Sequence, residues 1–86
     1  MTVHTRLEVT AVSCLGPTTL LVTFQDGSLR RVELADELWG EAFEPLRAPG
    51  FFRHVRVNPE TGTVEWPNGA DLAPGFLHRH GTEVQR

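Results

Sequence analysis

Carboxylates, histidines, one cysteine and a group of arginines are the side chains of this 86-residue sequence that could carry chemistry. Asp26 and Asp71 could form a general acid–base pair if the fold brought them together. Both stand in glycine-containing turn sequences, however, where a short carboxylate accepts hydrogen bonds from backbone amides. We therefore interpret them as turn residues. Because no nucleophile is placed to pair with His54, the sequence predicts that the protein is not an enzyme.

Metal and cofactor sites are not predicted either. His78 and His80 are close in sequence, but a zinc site needs three or four fixed ligands and no third ligand is apparent. The glycines lie in separate turns and form no phosphate-binding loop. Cys14 is the only cysteine, and we expect it to be a half-buried, inert thiol at the end of a strand. The sequence therefore predicts no cofactor.

A division of charge in the middle of the chain is the best candidate for a binding site. Residues 35–46 carry four acidic and no basic residues, whereas residues 47–57 carry three arginines and no acidic residue. Such runs are usually only solvated faces. The functional interpretation is a partner-binding surface with a negative half and a positive half. Its candidate residues are Glu41, Glu44, Arg47, Arg53, His54 and Arg56.

The three arginines of this segment also permit an alternative function. Arg47, Arg53 and Arg56, interspersed with Phe51 and Phe52, resemble the basic and aromatic surfaces that bind single-stranded nucleic acids. We expect the phenylalanines to be core residues instead, and the formal net charge of −3 argues against nucleic-acid binding. A nucleic-acid-associated regulator is therefore the second hypothesis, after a protein-interaction module.

The N-terminal half of the chain is predicted to form strands. Apolar alternation indicates strands over residues 5–14, 19–24 and 29–34. Asp26-Gly27, between the last two, is typical of a tight hairpin turn. We expect the strand over 19–24 to be central, because it is apolar on both faces.

A helical segment and a second hairpin follow. The spacing of apolar residues over 35–47, Trp39 among them, indicates a short helix broken at Gly40 and Pro45. Residues 54–66 predict a hairpin, because alternating apolar residues flank a turn that requires Gly62 at positive φ.

These elements predict an α+β fold, with a mainly antiparallel sheet of about five strands and one short, broken helical segment packed on one face. Residues 1–77 are expected to form a single small globular domain, and residues 78–86, with few apolar side chains, a mobile tail. The expected core residues are Trp66, Phe24, Leu38, Phe43, Leu46 and Val57.

Composition and hydropathy indicate a soluble protein. Hydrophobic residues make up 40% and charged residues 22% of the sequence. No apolar run reaches the length of a membrane span, and the first residues lack the hydrophobic segment of a signal peptide. We therefore predict a cytoplasmic protein with no membrane partner.

A family resemblance is carried by three runs of residues. They are Leu-Val-Thr-Phe-Gln-Asp-Gly at 21–27, Phe-Glu-Pro-Leu-Arg at 43–47 and Gly-Thr-Val-Glu-Trp-Pro-Asn-Gly-Ala-Asp-Leu at 62–72. With Phe52 and Val-Arg-Val at 55–57, they resemble a bacterial domain family of unknown function, number 2442, over about residues 5–77. The resemblance implies a small α+β domain without established catalytic residues. Some members of that family resemble components of toxin–antitoxin-like gene pairs, and others carry a helix-turn-helix DNA-binding domain.

The sequence thus predicts a non-catalytic protein-interaction module, as a partner or antitoxin-like component of a small bacterial gene pair. We expect the partner to be another protein, either a second copy of the chain or the product of a neighbouring gene. Binding would use an unpaired strand edge or the surface formed by residues 35–57.

Overall fold

The structure, a computed structural model, describes residues 7–84 and has the predicted α+β class with mainly antiparallel sheet. The strands are β1 (Val9–Cys14), β2 (Thr19–Phe24), β3 (Leu29–Glu33), β4 (Arg56–Asn58), β5 (Thr63–Glu65), β6 (Asp71–Leu72) and β7 (Thr82–Glu83). The helices are a 3-10 helix (Glu44–Arg47), α1 (Pro49–Phe52) and α2 (Pro74–His80). The strands are divided between two sheets rather than gathered in one.

The first sheet has the strand order β1-β2-β3-β7, and every neighbouring pair is antiparallel. The β2–β3 turn follows the prediction, since Gly27 has a φ of 88°. Asp26 Oδ1 accepts hydrogen bonds from the amide of Ser28 at 2.9 Å and from its hydroxyl at 2.6 Å. Asp26 therefore stabilises the turn between β2 and β3, as the sequence predicts. Of the predicted first strand, residues 5 and 6 lie outside the described residues.

The second sheet joins β4, β5 and β6 in antiparallel order. Val57 is paired with Val64, which confirms the predicted 54–66 hairpin. Gly62, at a φ of 71°, turns the chain between the two strands. Its carbonyl accepts a hydrogen bond from the Val9 amide at 2.8 Å, and this bond joins the two sheets.

The turn between β5 and β6 is held by a different residue from the one predicted. Asn68 Oδ1 accepts a hydrogen bond from the Ala70 amide at 3.1 Å, an interaction that asparagine and aspartate both make two residues ahead of themselves. Asp71 lies three residues after Asn68, beyond the turn. Asp71 is exposed and lies in β6, opposite Glu65, so the assignment of this aspartate to the turn is wrong.

The segment between β3 and β4 contains less helix than the sequence predicts. Within 35–47, only Glu44–Arg47 form a helical turn, and it is of the 3-10 type. Gly40 has a φ of 91°, which a right-handed helix does not allow. Pro45 lies in the first turn, where its missing N–H is tolerated. Phe51 and Phe52 belong to α1.

Trp66 lies at the centre of the core with 1% of its surface exposed. Its indole Nε1 donates a buried hydrogen bond to the Phe52 carbonyl at 2.9 Å, and the two ring centroids are 5.7 Å apart. The other predicted core residues are buried (Phe24, Leu38 and Leu46) or packed half-buried against the same cluster (Phe43 and Val57).

The prediction of a mobile tail starting at residue 78 is wrong for residues 78–84. Leu77 is fully buried and anchors α2 to the core, and β7 is paired with β3 so that Thr82 is opposite Arg31. No pattern in the sequence indicated β7, because this strand is short and polar and its partner strand is distant in the chain. Residues 85 and 86 of the predicted tail lie outside the described residues.

Gly81 connects α2 to β7 where the chain passes very close to β3. A Cβ placed there would lie 2.8 Å from the Leu77 carbonyl oxygen and 2.9 Å from Arg30 Cβ. We expect Gly81→Ala to lower the free energy of unfolding by about 1–3 kcal/mol, because these neighbours would have to move. The measurement is urea denaturation.

Gly50→Ala is the matched control for that substitution. A Cβ at Gly50 meets no atom within 4 Å, so the free energy of unfolding should change by less than about 1 kcal/mol. Equal unfolding midpoints for the two variants would contradict the close packing of Gly81 against β3.

Candidate interaction surface

The six residues predicted to form a binding site are all solvent-exposed. In chain order they are Glu41 in the loop after β3, Glu44 and Arg47 at the two ends of the 3-10 helix, Arg53 and His54 after α1, and Arg56 in β4. Within residues 7–84, no side-chain hydrogen bond or ion pair joins any two of them. They therefore form a dispersed surface rather than a cluster.

Two of the three arginines are engaged by contacts within the chain. Arg47 Nε donates a hydrogen bond to the Leu38 carbonyl at 2.6 Å. Arg56 Nη2 forms an ion pair with Glu65 Oε1 at 3.1 Å. The guanidinium of Arg53, in contrast, has no hydrogen-bond or ion-pair partner in the part of the chain that the structure describes. Arg53 is therefore the arginine most available to a binding partner.

Trp39 is the candidate residue that sequence reasoning missed. The helical pattern places it on an apolar face, but 69% of its surface is exposed. Tryptophan is strongly buried on average and is enriched in protein interfaces. Its sequence neighbours include Asp36, Glu37, Glu41 and Glu44. Gly40, which directly follows it and breaks the helix, was the sequence signal that could have identified its position.

The loop that carries Trp39 is fixed by hydrogen bonds at both ends and along its length. The Leu34 amide donates to the Thr18 carbonyl at 2.9 Å, and the Glu44 amide donates to the Gly40 carbonyl at 3.0 Å. The Arg47 guanidinium donates to the Leu38 carbonyl at 2.6 Å, and the Asn68 side-chain amide donates to the Ala42 carbonyl at 3.0 Å. The exposed indole is therefore carried by an ordered backbone.

An apolar groove of about 470 Å³ lies between the β1–β2 turn and the start of α1. Its lining residues are Cys14, Leu15, Gly16, Pro17, Pro49, Gly50 and Arg53. Leu15 is 54% exposed. Leu15 and Trp39 are the two large hydrophobic residues that are strongly exposed in the described part of the chain. We call this feature the Pro17–Pro49 groove.

The Trp39 loop borders the Pro17–Pro49 groove. Thr18, which accepts the hydrogen bond at the start of the loop, directly follows Pro17 in the chain. Arg47, which binds the Leu38 carbonyl, precedes Pro49 by two residues. The loop that carries Trp39 is therefore attached to chain segments that adjoin the groove.

Cys14 is exposed at this groove, so the prediction of a half-buried thiol is wrong. Its Sγ lies 3.2 Å from the Gly16 carbonyl oxygen. Its exposure follows the burial pattern of β1, in which Val9 is buried whereas Ser13 and Cys14, at the end of the strand, are exposed. The rate at which a reagent modifies the Cys14 thiol can therefore report whether the groove is covered.

A more polar cleft of about 540 Å³ lies where β7 borders β3. Glu33, which lines it, accepts hydrogen bonds from the hydroxyls of Thr18 and Thr19, both at 2.6 Å, and from the Ala35 amide at 2.8 Å. These donors, the Thr18 hydroxyl above all, lower the pKa of Glu33 to about 2 from 4.5. The carboxylate therefore connects β2, β3 and the start of the Trp39 loop.

The histidines take separate structural roles. His78 Nε2 accepts a hydrogen bond from Arg30 Nη2 at 3.1 Å, because a guanidinium can only donate. His80 Nε2 donates to the Glu33 carbonyl at 2.9 Å. Over residues 7–84, no three histidine, cysteine, aspartate or glutamate side chains are grouped as a metal site would require. No helix in that range has the length and apolar character needed to span a bilayer.

The described residues thus form a small two-sheet α+β domain that exposes a tryptophan and an apolar groove. The chain belongs to the family described as protein of unknown function (DUF2442), whose sequence profile matches residues 9–83. This match confirms the resemblance found in the sequence, and it includes α2 and β7. No curated protein and no solved structure shows a significant match.

The hydrogen bonds of Glu33 predict a specific dependence of stability on pH. Its pKa is lower in the folded than in the unfolded protein, so its contribution is complete above about pH 4.5 and is lost as the pH falls towards about 2. Glu33→Gln should therefore destabilise the protein at neutral pH. We expect at most about 1 kcal/mol, because water screens a charge at an exposed position.

Urea denaturation across this pH range measures the effect. The difference between the wild type and Glu33→Gln should shrink as the pH falls from 4.5 to about 2. Glu60→Gln, on the exposed turn between β4 and β5, is the control and should follow the wild type throughout. A Glu33→Gln difference that is constant over this range would show that the carboxylate charge does not stabilise the fold.

Proposed function

We propose that this protein is a cytoplasmic, non-catalytic protein-interaction module that binds another protein through the surface of residues 35–57. The observation that carries the proposal is the exposure of Trp39, 69% of whose surface is accessible. A large aromatic side chain left in water is a source of binding free energy, because a partner that covers it removes its apolar surface from solvent.

The fixed backbone around Trp39 supports this proposal. Binding is weakened when a loop must be ordered at the moment of association. The bonds from Arg47 to Leu38 and from Asn68 to Ala42 already order this loop in the free chain. Trp39 therefore has the properties of an interface hot spot, in which a rigidly presented aromatic residue supplies much of the affinity.

Charge around Trp39 adds orientation to the apolar contact. Glu41 is exposed on the same loop, Glu44 is exposed at the start of the 3-10 helix that follows it, and Arg53 is exposed at the edge of the Pro17–Pro49 groove. Charges of opposite sign on the two sides of an apolar contact select a partner with the complementary arrangement and exclude others. A partner encoded by a neighbouring gene, as in a toxin–antitoxin-like pair, is consistent with such selectivity.

Affinity capture with matched variants tests the proposal. The tagged protein is expressed in the cells in which it naturally occurs, chemically cross-linked, and its partners are quantified by mass spectrometry. We expect Trp39→Ser and Arg53→Glu each to lower recovery of the specific partner at least about tenfold, the loss expected when a hot-spot contact is removed.

Arg79→Glu, which makes the same charge change at an exposed position on α2, is the control and should recover the partner as the wild type does. Equal recovery by all four proteins would remove the 35–57 surface from the interaction. The nucleic-acid alternative gives another pattern: salt-sensitive binding of an oligonucleotide that Arg53→Glu weakens and Trp39→Ser does not.

A further inference from the structure

We infer that the partner of this surface is a second copy of the chain, with Trp39 of each copy inserted into the Pro17–Pro49 groove of the other. This inference rests on the proposed function and specifies its partner. Trp39 and the groove are the two apolar features that residues 7–84 expose most strongly, since Leu15 of the groove is 54% exposed and Trp39 69%.

The groove has the chemistry and size to receive an indole. Leu15, Pro17 and Pro49 provide an apolar lining, and the volume of about 470 Å³, which is open to solvent, leaves room for the ring. At Gly50, a Cβ would meet no atom within 4 Å, so this part of the wall is open to an incoming ring.

Charge complementarity favours a second copy over an unrelated chain. A partner whose Trp39 enters the groove brings its own Glu44 along, because the Glu44 amide is bound to the carbonyl of Gly40, next to Trp39. Arg53 at the groove edge is free of other partners within the described chain. Each copy therefore offers Glu44 to the Arg53 of the other copy and Arg53 to its Glu44.

The positions of the two features fit a two-fold axis. A two-fold contact requires that a projection and its receptor lie at one end of the same molecule, so that each copy gives and receives one. The attachment of the Trp39 loop next to Pro17, through Thr18, and next to Pro49, through Arg47, supports this arrangement. Two small contacts of this kind indicate a weak, concentration-dependent dimer.

Sedimentation equilibrium of the purified protein, up to about 1 mM, the upper end of weak association, tests the inference. The wild type should form a dimer. Trp39→Ala should raise the dissociation constant of the dimer at least about 30-fold, which corresponds to a loss of about 2 kcal/mol of binding free energy at a hot spot. Gly50→Leu, which occupies the groove, should have a similar effect, and Gly50→Ala should have little.

A charge exchange identifies the contact between Glu44 and Arg53. Arg53→Glu and Glu44→Arg should each dimerise poorly alone, since like charges then meet twice. An equimolar mixture of the two should recover the wild-type dissociation constant, because both contacts are again between opposite charges. The reaction of the Cys14 thiol with an aromatic disulfide should also slow as the wild-type dimer forms.

Three results would overturn the inference. One is a wild type that stays monomeric to about 1 mM, and another is a dimer that Trp39→Ala leaves intact. The third is protection of Cys14 that is independent of protein concentration, which would mean that Trp39 covers the groove of its own chain. A monomer that still captures another protein through Trp39 would refute the second copy and leave the proposed function standing, whereas a monomer without any partner would refute both.

Discussion

The buried hydrogen bond from the Trp66 indole to the Phe52 carbonyl is the interaction on which the arrangement of the surface depends. Its 2.9 Å length and full burial mean that the indole N–H has found its partner at the centre of the core. The bond also fixes α1, because Phe52 is the last residue of that helix. Pro49 and Gly50, one wall of the groove, belong to the same helical turn. The core therefore determines where the groove lies.

The two sheets are joined by a backbone hydrogen bond at the start of β1. Val9 of β1 donates to the Gly62 carbonyl between β4 and β5, so the edge of the first sheet is held against the turn of the second. Glu33, the last residue of β3, connects elements in a comparable way, because it accepts hydrogen bonds from the hydroxyls of Thr18 and Thr19, where β2 begins. Short strands and one-turn helices are weak elements by themselves. In this domain, bonds between elements compensate for their short length.

Features that depend on local backbone geometry were predictable from the sequence. Gly27 and Gly62 both have positive φ, and the turn sequences around them indicate this without knowledge of the rest of the fold. The buried position of Trp66 followed from the alternation of residues in its hairpin. Periodicity failed at Trp39, because counting apolar residues cannot reveal that Gly40 turns the chain away from a helix.

Features that depend on distant segments were not predictable. The Pro17–Pro49 groove combines residues 14–17 with residues 49–53, and no local pattern connects them. β7 was missed for the same reason, since its two polar residues become a strand only by pairing with β3. The charged candidates could be found by composition, but their intramolecular partners, such as Glu65 for Arg56, could not.

The pairing of β7 with β3 also has a consequence for how the protein is made. On the ribosome, β3 emerges long before residues 82 and 83, so it passes through synthesis as an exposed edge strand, the kind of surface that recruits strands from other nascent chains. The charged residues Arg31 and Glu33 of β3 remain exposed in the finished fold. Charges on an edge strand oppose the addition of strands from other chains, and in the finished fold β7 pairs with this edge.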